Sequence, residues 1–414
     1  MTSFSIQNFG CRVNQAEAFA WAEAFERRGL VLEPDAARAD LVVINSCTLT
    51  GRADRDVRKF IRRVARLNPQ ARLVIAGCSV ERDRDAMRAM PQAWLVLSNE
   101  EKPDLPERVA ADFPARPAAG SHPLRSRALL KVQDGCDNRC SFCVIPTVRG
   151  GSRSLDPGGI LDRARDLTDR GFREIVLCGI HLSSYGGDLV PRRSLAGLLR
   201  ELTAVPGLGR VRLSSFDPRA LDEELIHLIT GDPGICPHFH LSLQHASENV
   251  LRRMGRNSRT ADYAGVLGKL RALRPDAALG ADIIVGFPGE SEADFEDLRG
   301  FLQASPLNYF HVFAFSPRPG TAAAAWPQVG EADKRRRSAV LRSLSAGKRQ
   351  AFEESFVGRE LGGVVVKSSG GSAVVLTGNY INVRVPAGET RPGASVTVRV
   401  EEAGRGRVRG VVVG

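Results

Sequence analysis

A repeating alternation of short apolar runs with amphipathic stretches constrains this chain more than any other feature. Phe4-Ser-Ile-Gln-Asn-Phe leads into Gly10, and an amphipathic stretch covers 15–28. Leu41-Val-Val-Ile-Asn and Leu73-Val-Ile-Ala-Gly flank a basic helix-like stretch over 54–66. Continuous apolar runs of this length suit parallel strands buried on both faces. Residues 1–102 are therefore expected to form a small doubly wound α/β domain, with ligands at the carboxyl ends of its strands. Five prolines between 103 and 123 mark 103–124 as a linker. The rhythm resumes over 125–353 with strands expected at 128–132, 174–178, 210–214, 239–243, 281–285 and 310–315. Six βα units predict a parallel, partial (β/α)6 barrel with its site at the strand C-termini. Over 354–414 five short β-rich segments alternate with Gly and Pro, which predicts a small antiparallel β-barrel of OB-like kind.

Composition narrows the function classes. With 43% apolar and 25% charged residues the chain is globular in type. No apolar run reaches the ~18 residues of a membrane helix. The first residues lack a basic segment followed by an apolar one, so no secretory signal is expected and a cytoplasmic location follows. Thiols stay reduced there, so the eight cysteines read as core residues, metal ligands or catalysts rather than a disulfide framework. The net charge of +11 favours a polyanionic partner such as nucleic acid. Genomic base composition is an alternative source of an Arg excess, so charge alone is weak evidence. The C-terminal sixty residues carry a modest excess of basic groups, compatible with RNA contact or with simple packing.

Cys136, Cys140 and Cys143 form C-x3-C-x2-C directly after the first expected barrel strand. Three close thiolates can hold three irons of a 4Fe–4S cubane and leave the fourth iron open to a small molecule. Zinc is the competitor, but structural zinc wants four closed ligands and no fourth Cys or His pair lies nearby. Cys11, Cys47 and Cys78 each follow an expected parallel strand, so three thiols 36 and 31 positions apart can converge at one sheet end. Singly, each reads as a buried structural cysteine; together they suggest a second cluster site.

The C-x3-C-x2-C motif and Asp282-Ile-Ile-Val-Gly-Phe-Pro-Gly-Glu resemble the radical S-adenosylmethionine superfamily. With the three N-terminal cysteine segments added, nearly the whole chain resembles its methylthiotransferase family. That resemblance implies an N-terminal methylthiotransferase domain, a radical barrel and a C-terminal TRAM domain. It implies two 4Fe–4S clusters: a radical cluster on Cys136, Cys140 and Cys143, and a sulfur-carrying auxiliary cluster on Cys11, Cys47 and Cys78. One S-adenosylmethionine would supply the methyl group and another a 5′-deoxyadenosyl radical. A reductase or flavodoxin-type electron donor is implied as a partner, and no membrane. Gly10-Cys-Arg-Val-Asn-Gln, Arg212-Leu-Ser-Ser and His311-Val-Phe-Ala-Phe-Ser-Pro-Arg-Pro-Gly-Thr are most similar to the bacterial group that acts on N6-threonylcarbamoyladenosine beside the tRNA anticodon. The alternatives are N6-isopentenyladenosine in tRNA and an aspartate of a ribosomal protein. Leu243-Gln-His-Ala-Ser and Gly77-Cys-Ser-Val depart from the common family pattern without touching a cluster ligand.

The resemblance also places Gly179, after Cys178, where the superfamily contacts the methionine amino group; a glycine suits close ligand approach. Gln244 and Asp282 are cofactor-contact candidates at or near strand ends, with hydrogen-bonded scaffolding as the plain alternative. His240 and His311 read as structural histidines, and Cys178 and Cys236 as core residues. Arg149, Arg153 and Arg318 lie in Gly/Pro-rich loops at the expected barrel mouth. A guanidinium there suits phosphate or the threonylcarbamoyl carboxylate, against the plain reading of an intramolecular pair. The basic stretch from Arg52 to Arg66 and the Lys334-Arg-Arg-Arg run are solvated faces or phosphate tracks.

Overall fold

The computed structural model describes residues 2–113, 126–256, 258–388, 390–404 and 406–413. Five parallel strands open the chain: β1 (Ser3–Asn8), β2 (Val31–Leu32), β3 (Leu41–Ser46), β4 (Arg72–Gly77) and β5 (Ala93–Leu97). Their order is β2-β1-β3-β4-β5. Alternation along β3 sends Leu41 and Val43 into one core with Phe4, Trp21 and Phe25, and Val42 and Ile44 into another with Val57 and Ile61. Helices α1 (Arg12–Arg27), α2 (Gly51–Leu67), α3 (Cys78–Arg82), α4 (Arg84–Arg88) and α5 (Leu105–Ala110) complete this layer. Both faces of β3 are thus covered, as its unbroken apolar run requires.

α5 corrects the start of the expected linker. Pro106 sits in its first turn, where a missing N–H costs nothing, and Leu105 and Val109 are buried in the first core. The expected linker residues from 114 to 124 lie outside the described residues.

The second part of the chain contains β6 (Ala128–Lys131), β7 (Gln133–Asp134), β8 (Arg153–Ser154), β9 (Glu174–Cys178), β10 (Arg210–Leu213), β11 (His238–Gln244), β12 (Ala278–Val285) and β13 (Tyr309–Ala314). Two parallel sheets, β10-β9-β6 and β11-β12-β13, are joined by the parallel bridges Val211–Ile235 and Phe216–Leu241. The result is the expected six-stranded partial barrel. Outside it lie α6 (Ile145–Arg149), α7 (Pro157–Asp169), α8 (Leu195–Thr203), α9 (Glu223–Gly231), α10 (Glu248–Arg253), α11 (Thr260–Leu273), α12 (Glu292–Ala304) and α13 (Glu331–Glu354). Local chemistry sets several starts. Asp156, Ser194 and Asp222 each accept a first-turn N–H, and Ser291 with Asp294 forms a reciprocal capping box.

A closed antiparallel barrel ends the chain, built from β14 (Glu360–Ser369), β15 (Ser372–Thr377), β16 (Asn382–Pro386), β17 (Ser395–Gly404) and β18 (Arg407–Val412), with one parallel contact between β16 and β18. It is tied to the larger barrel through one buried carboxylate. Glu174 receives Arg212 Nε and Arg210 Nε, each at 2.7 Å. The same guanidiniums donate onward to the carbonyls of Gly362, Leu376, Thr377 and Gly378. Burial alone would raise the Glu174 pKa, but Arg212 and Arg210 outweigh it and hold it down at about 2.

The Lys334 run is a helix face that is only partly solvated. Lys334 and Arg337 are buried, Arg337 on Glu290 Oε1 at 2.8 Å, while Arg335 and Arg336 are exposed.

Candidate active site

The sheet register explains how three distant cysteines meet. Ser46 pairs with Gly77 at the ends of β3 and β4, and Cys47 and Cys78 are the next residues of each strand. Asn8 of β1 pairs with Asn45, and Cys11 follows three residues later at the N-cap of α1, with its thiol not used as a cap. Gly77 makes the turn possible. Its φ is 106°, and a Cβ there would stand 2.6 Å from the Ser46 carbonyl oxygen. Burial raises all the thiol pKa values that shift in this group, Cys47 to about 12, and the negative charge of each neighbouring thiolate adds to the effect. The Arg149 guanidinium acts in the opposite sense on Cys11 and Cys47.

The second triad lies on the loop between β7 and α6. Gly135 opens it at φ 69°, so close to its neighbours that a Cβ would stand 1.8 Å from the Gly151 oxygen. Cys136 N–H donates to the Gly150 carbonyl at 3.1 Å, and Ser141 N–H to that of Met254 at 3.0 Å. Burial raises Cys143 to about 12 and also raises Cys136 and Cys140, whereas Arg256 favours the thiolates of Cys140 and Cys143.

Both triads suit iron–sulfur clusters. All six thiols are free. Leu49 N–H points at Cys47 Sγ and Ile145 N–H at Cys143 Sγ, both at 3.5 Å, and Asn138 N–H does the same for Cys136. Asn99 Nδ2 approaches Cys78 Sγ at 3.8 Å. N–H groups aimed at sulfur, together with buried guanidiniums, stabilise the thiolates that ligate iron. Cys78 packs on Val144 and Val148, which places it against α6, the short helix that follows the second triad.

The other expected site residues divide. Gly179 follows β9, where a Cβ would stand 3.0 Å from Gln133 Oε1. Gln133 knits this turn to the cysteine loop: it accepts from His181 N–H at 2.8 Å and donates to the Asp134 and Gly135 carbonyls. Gln244 ends β11 at φ 70°, an uncommon conformation for a non-glycine residue. Asp282 lies deeper, receiving His240 Nε2 at 3.0 Å and His311 Nδ1 at 3.2 Å. Burial would raise its pKa, but these two hydrogen bonds keep the carboxyl well below the usual range.

Two of the three expected mouth arginines are not at an open mouth. Arg149 is buried, with Nη1 on Asp134 at 2.8 Å and on Glu17 at 3.2 Å, and Nη2 on Asn14 at 2.8 Å. Arg318 is buried against Asp54 and Thr48 Oγ1, beside Cys47. Leaving either charge unpaired in that interior would cost several kcal/mol, so each is committed to an internal carboxylate. Arg153 alone is exposed, 3.8 Å from Glu100.

A cavity of about 430 Å³ lies between the Cys11 turn and the barrel interior. Arg12, Arg212, Asp282, His311 and Tyr380 are among its walls. Tyr380 belongs to the C-terminal barrel and stacks on His238 at 4.1 Å between centroids. Arg12, Glu17 and Tyr380 were not expected from sequence, because each acquires its role through partners distant in the chain.

Comparison with known proteins fits this geometry. Residues 130–302 match the radical SAM superfamily, and residues 3–98 match a family described as uncharacterized protein family UPF0004. A Thermotoga maritima protein named threonylcarbamoyladenosine tRNA methylthiotransferase MtaB is 35% identical, covering 87% of this chain and 86% of that one. The chain belongs to the radical S-adenosylmethionine methylthiotransferase family. Within this family it is also similar to a Cereibacter sphaeroides protein named tRNA-2-methylthio-N(6)-dimethylallyladenosine synthase, 33% identical over 99% of this chain and 98% of that one. The Kitasatospora setae radical S-adenosylmethionine methyltransferase TsrM shares the fold at a TM-score of 0.57 and 15% identity, covering 78% of this chain and 77% of its own. Membership implies a 4Fe–4S cluster and S-adenosylmethionine. No described helix is long and apolar enough to cross a membrane.

Proposed function

We propose that this methylthiotransferase converts N6-threonylcarbamoyladenosine beside the tRNA anticodon into its 2-methylthio derivative. The observation that carries the reading is the cavity shared by Cys11 and the barrel interior, with a second cysteine triad just before α6, the helix against which Cys78 packs. Cys136, Cys140 and Cys143 would hold the radical cluster, and Cys11, Cys47 and Cys78 an auxiliary one. When bound, these clusters supply an electron for cleavage of S-adenosylmethionine and sulfur for the product. The chain's own groups do the rest. Gly179 and Gln133 shape a close approach beside the cysteine loop, and Gln244 and Asp282 are the candidate cofactor contacts. Arg153 and the exposed basic face of α2 are candidate phosphate contacts, of a kind that weakens as salt rises.

Threonylcarbamoyladenosine is preferred over isopentenyladenosine because the cavity walls, apolar over part of their area, also carry polar groups that its substituent can pair, Arg12, Gln15, Ser214 and Ser215 among them. An apolar isopentenyl group would leave such groups unpaired. The test is mass spectrometry of nucleosides after anaerobic reaction of the reconstituted chain with anticodon stem-loops carrying either base. Methylthio product on the threonylcarbamoyl RNA is expected. Product on the isopentenyl RNA alone would overturn the reading.

A further inference from the structure

The charged groups around the cavity are not equivalent. Arg212 is paired with Glu174, and Asp282 is held between His240 and His311. Arg12 differs from both. Its Nη2 donates to the Tyr380 hydroxyl at 3.1 Å, and among the described residues it forms no ion pair. It is half-buried and lines the same cavity as Cys11, its neighbour in sequence. A guanidinium with donors to spare, in a cavity whose lining carboxylate Asp282 already has partners, is a receptor for an anionic group of the substrate.

We propose that Arg12 binds the carboxylate of the amino-acid substituent on the target adenosine and so sets the preference for that substituent over an apolar one. This inference rests on the reading of threonylcarbamoyladenosine as substrate. The placement is economical. Tyr380 fixes the Arg12 side chain from one side, and its ring, stacked on His238, gives the guanidinium a rigid support. The residues flanking Arg12 fix its backbone: Cys11 as the N-cap of α1, and Val13 buried in the barrel core. A substituent gripped at its carboxylate end would hold the attached base at a set distance from the Cys11 thiol. An isopentenyl substituent offers the guanidinium nothing, and a site built for a hydrogen-bonded group rejects the analogue lacking it.

The experiment compares wild type, R12Q and R12K, reconstituted to equal iron content, on three stem-loop RNAs. One carries threonylcarbamoyladenosine, one its carboxamide, and one isopentenyladenosine. On the first RNA, R12Q should lose at least ~30-fold in kcat/KM, mostly through KM, and R12K should recover most of it. On the carboxamide, wild type and R12Q should agree within ~3-fold. Equal activity of R12Q and wild type on the first RNA overturns the assignment. An equal loss on both the first RNA and the carboxamide also overturns it, since Arg12 would then act only through structure. Wild type inactive on the first RNA but active on isopentenyladenosine removes the substrate reading itself, and the inference with it.

Discussion

Arg149 Nη2 donates to Asn14 Oδ1 at 2.8 Å, and the Cys11 thiol donates to the same oxygen at 3.3 Å. One amide oxygen thus joins the helix that follows Cys143 to the turn that holds Cys11. Arg149→Met should expose this dependence. It leaves Asn14 and Asp134 short of a buried cation, a loss worth about 3–5 kcal/mol. The midpoint of urea unfolding of the apo chain should fall accordingly. An unchanged midpoint would show that the guanidinium does not hold the two segments together.

Iron content separates the two triads. Anaerobic reconstitution should give ~8 irons per chain for two cubanes. Cys47→Ala and Cys136→Ala should each retain ~4. Cleavage of S-adenosylmethionine should survive in Cys47→Ala and disappear in Cys136→Ala. Full iron in Cys47→Ala would place the second cluster elsewhere.

Gly135→Ala is a backbone test of the radical loop. The added methyl would meet the Gly151 oxygen at 1.8 Å in a left-handed conformation, so the loop must move. We expect ~4 irons to remain on the first triad and S-adenosylmethionine cleavage to be lost. Retention of cleavage would show that the Cys136 position tolerates a different turn.

Glu174 should govern acid stability. Its pKa is depressed, from 4.5 to about 2, so its contribution is complete above 4.5 and is lost as pH falls through that window. The loss approaches about 3 kcal/mol at 1.36 kcal/mol per unit. Thermal melting in that window should show a drop that is absent in Glu174→Gln. At neutral pH that variant should melt lower than wild type, because Arg212 is left buried without its anion. Matching curves for the two proteins would assign the acid loss to other groups.

The strands were readable because parallel burial forces unbroken apolar runs: 41–46, 73–77 and 174–178 could hardly be anything else. Cys47 and Cys78 were readable because each stands at the end of such a run, and register sets the two ends side by side. The arginines were not. Arg149 closes the short helix α6 and Arg318 lies in a loop, both in sequence that reads as a solvent-facing loop, but their partners Glu17 and Asp54 lie 132 and 264 residues away. Only the folded chain reveals those pairs. Arg12 failed in the opposite sense: its neighbours in sequence drew attention to Cys11, and its charge shows a role only once the cavity exists. The prolines at 103 and 106 suggested a linker, whereas the second of them starts a short helix.

Tyr380 lends one wall of the cavity beside Cys11 from the C-terminal barrel. The consequence is modular indivisibility. A chimera carrying a relative's C-terminal barrel would exchange not only that barrel's own surface but part of the lining of this cavity. Changes in substrate preference can therefore arise at the far end of the polypeptide, without alteration of a single cysteine.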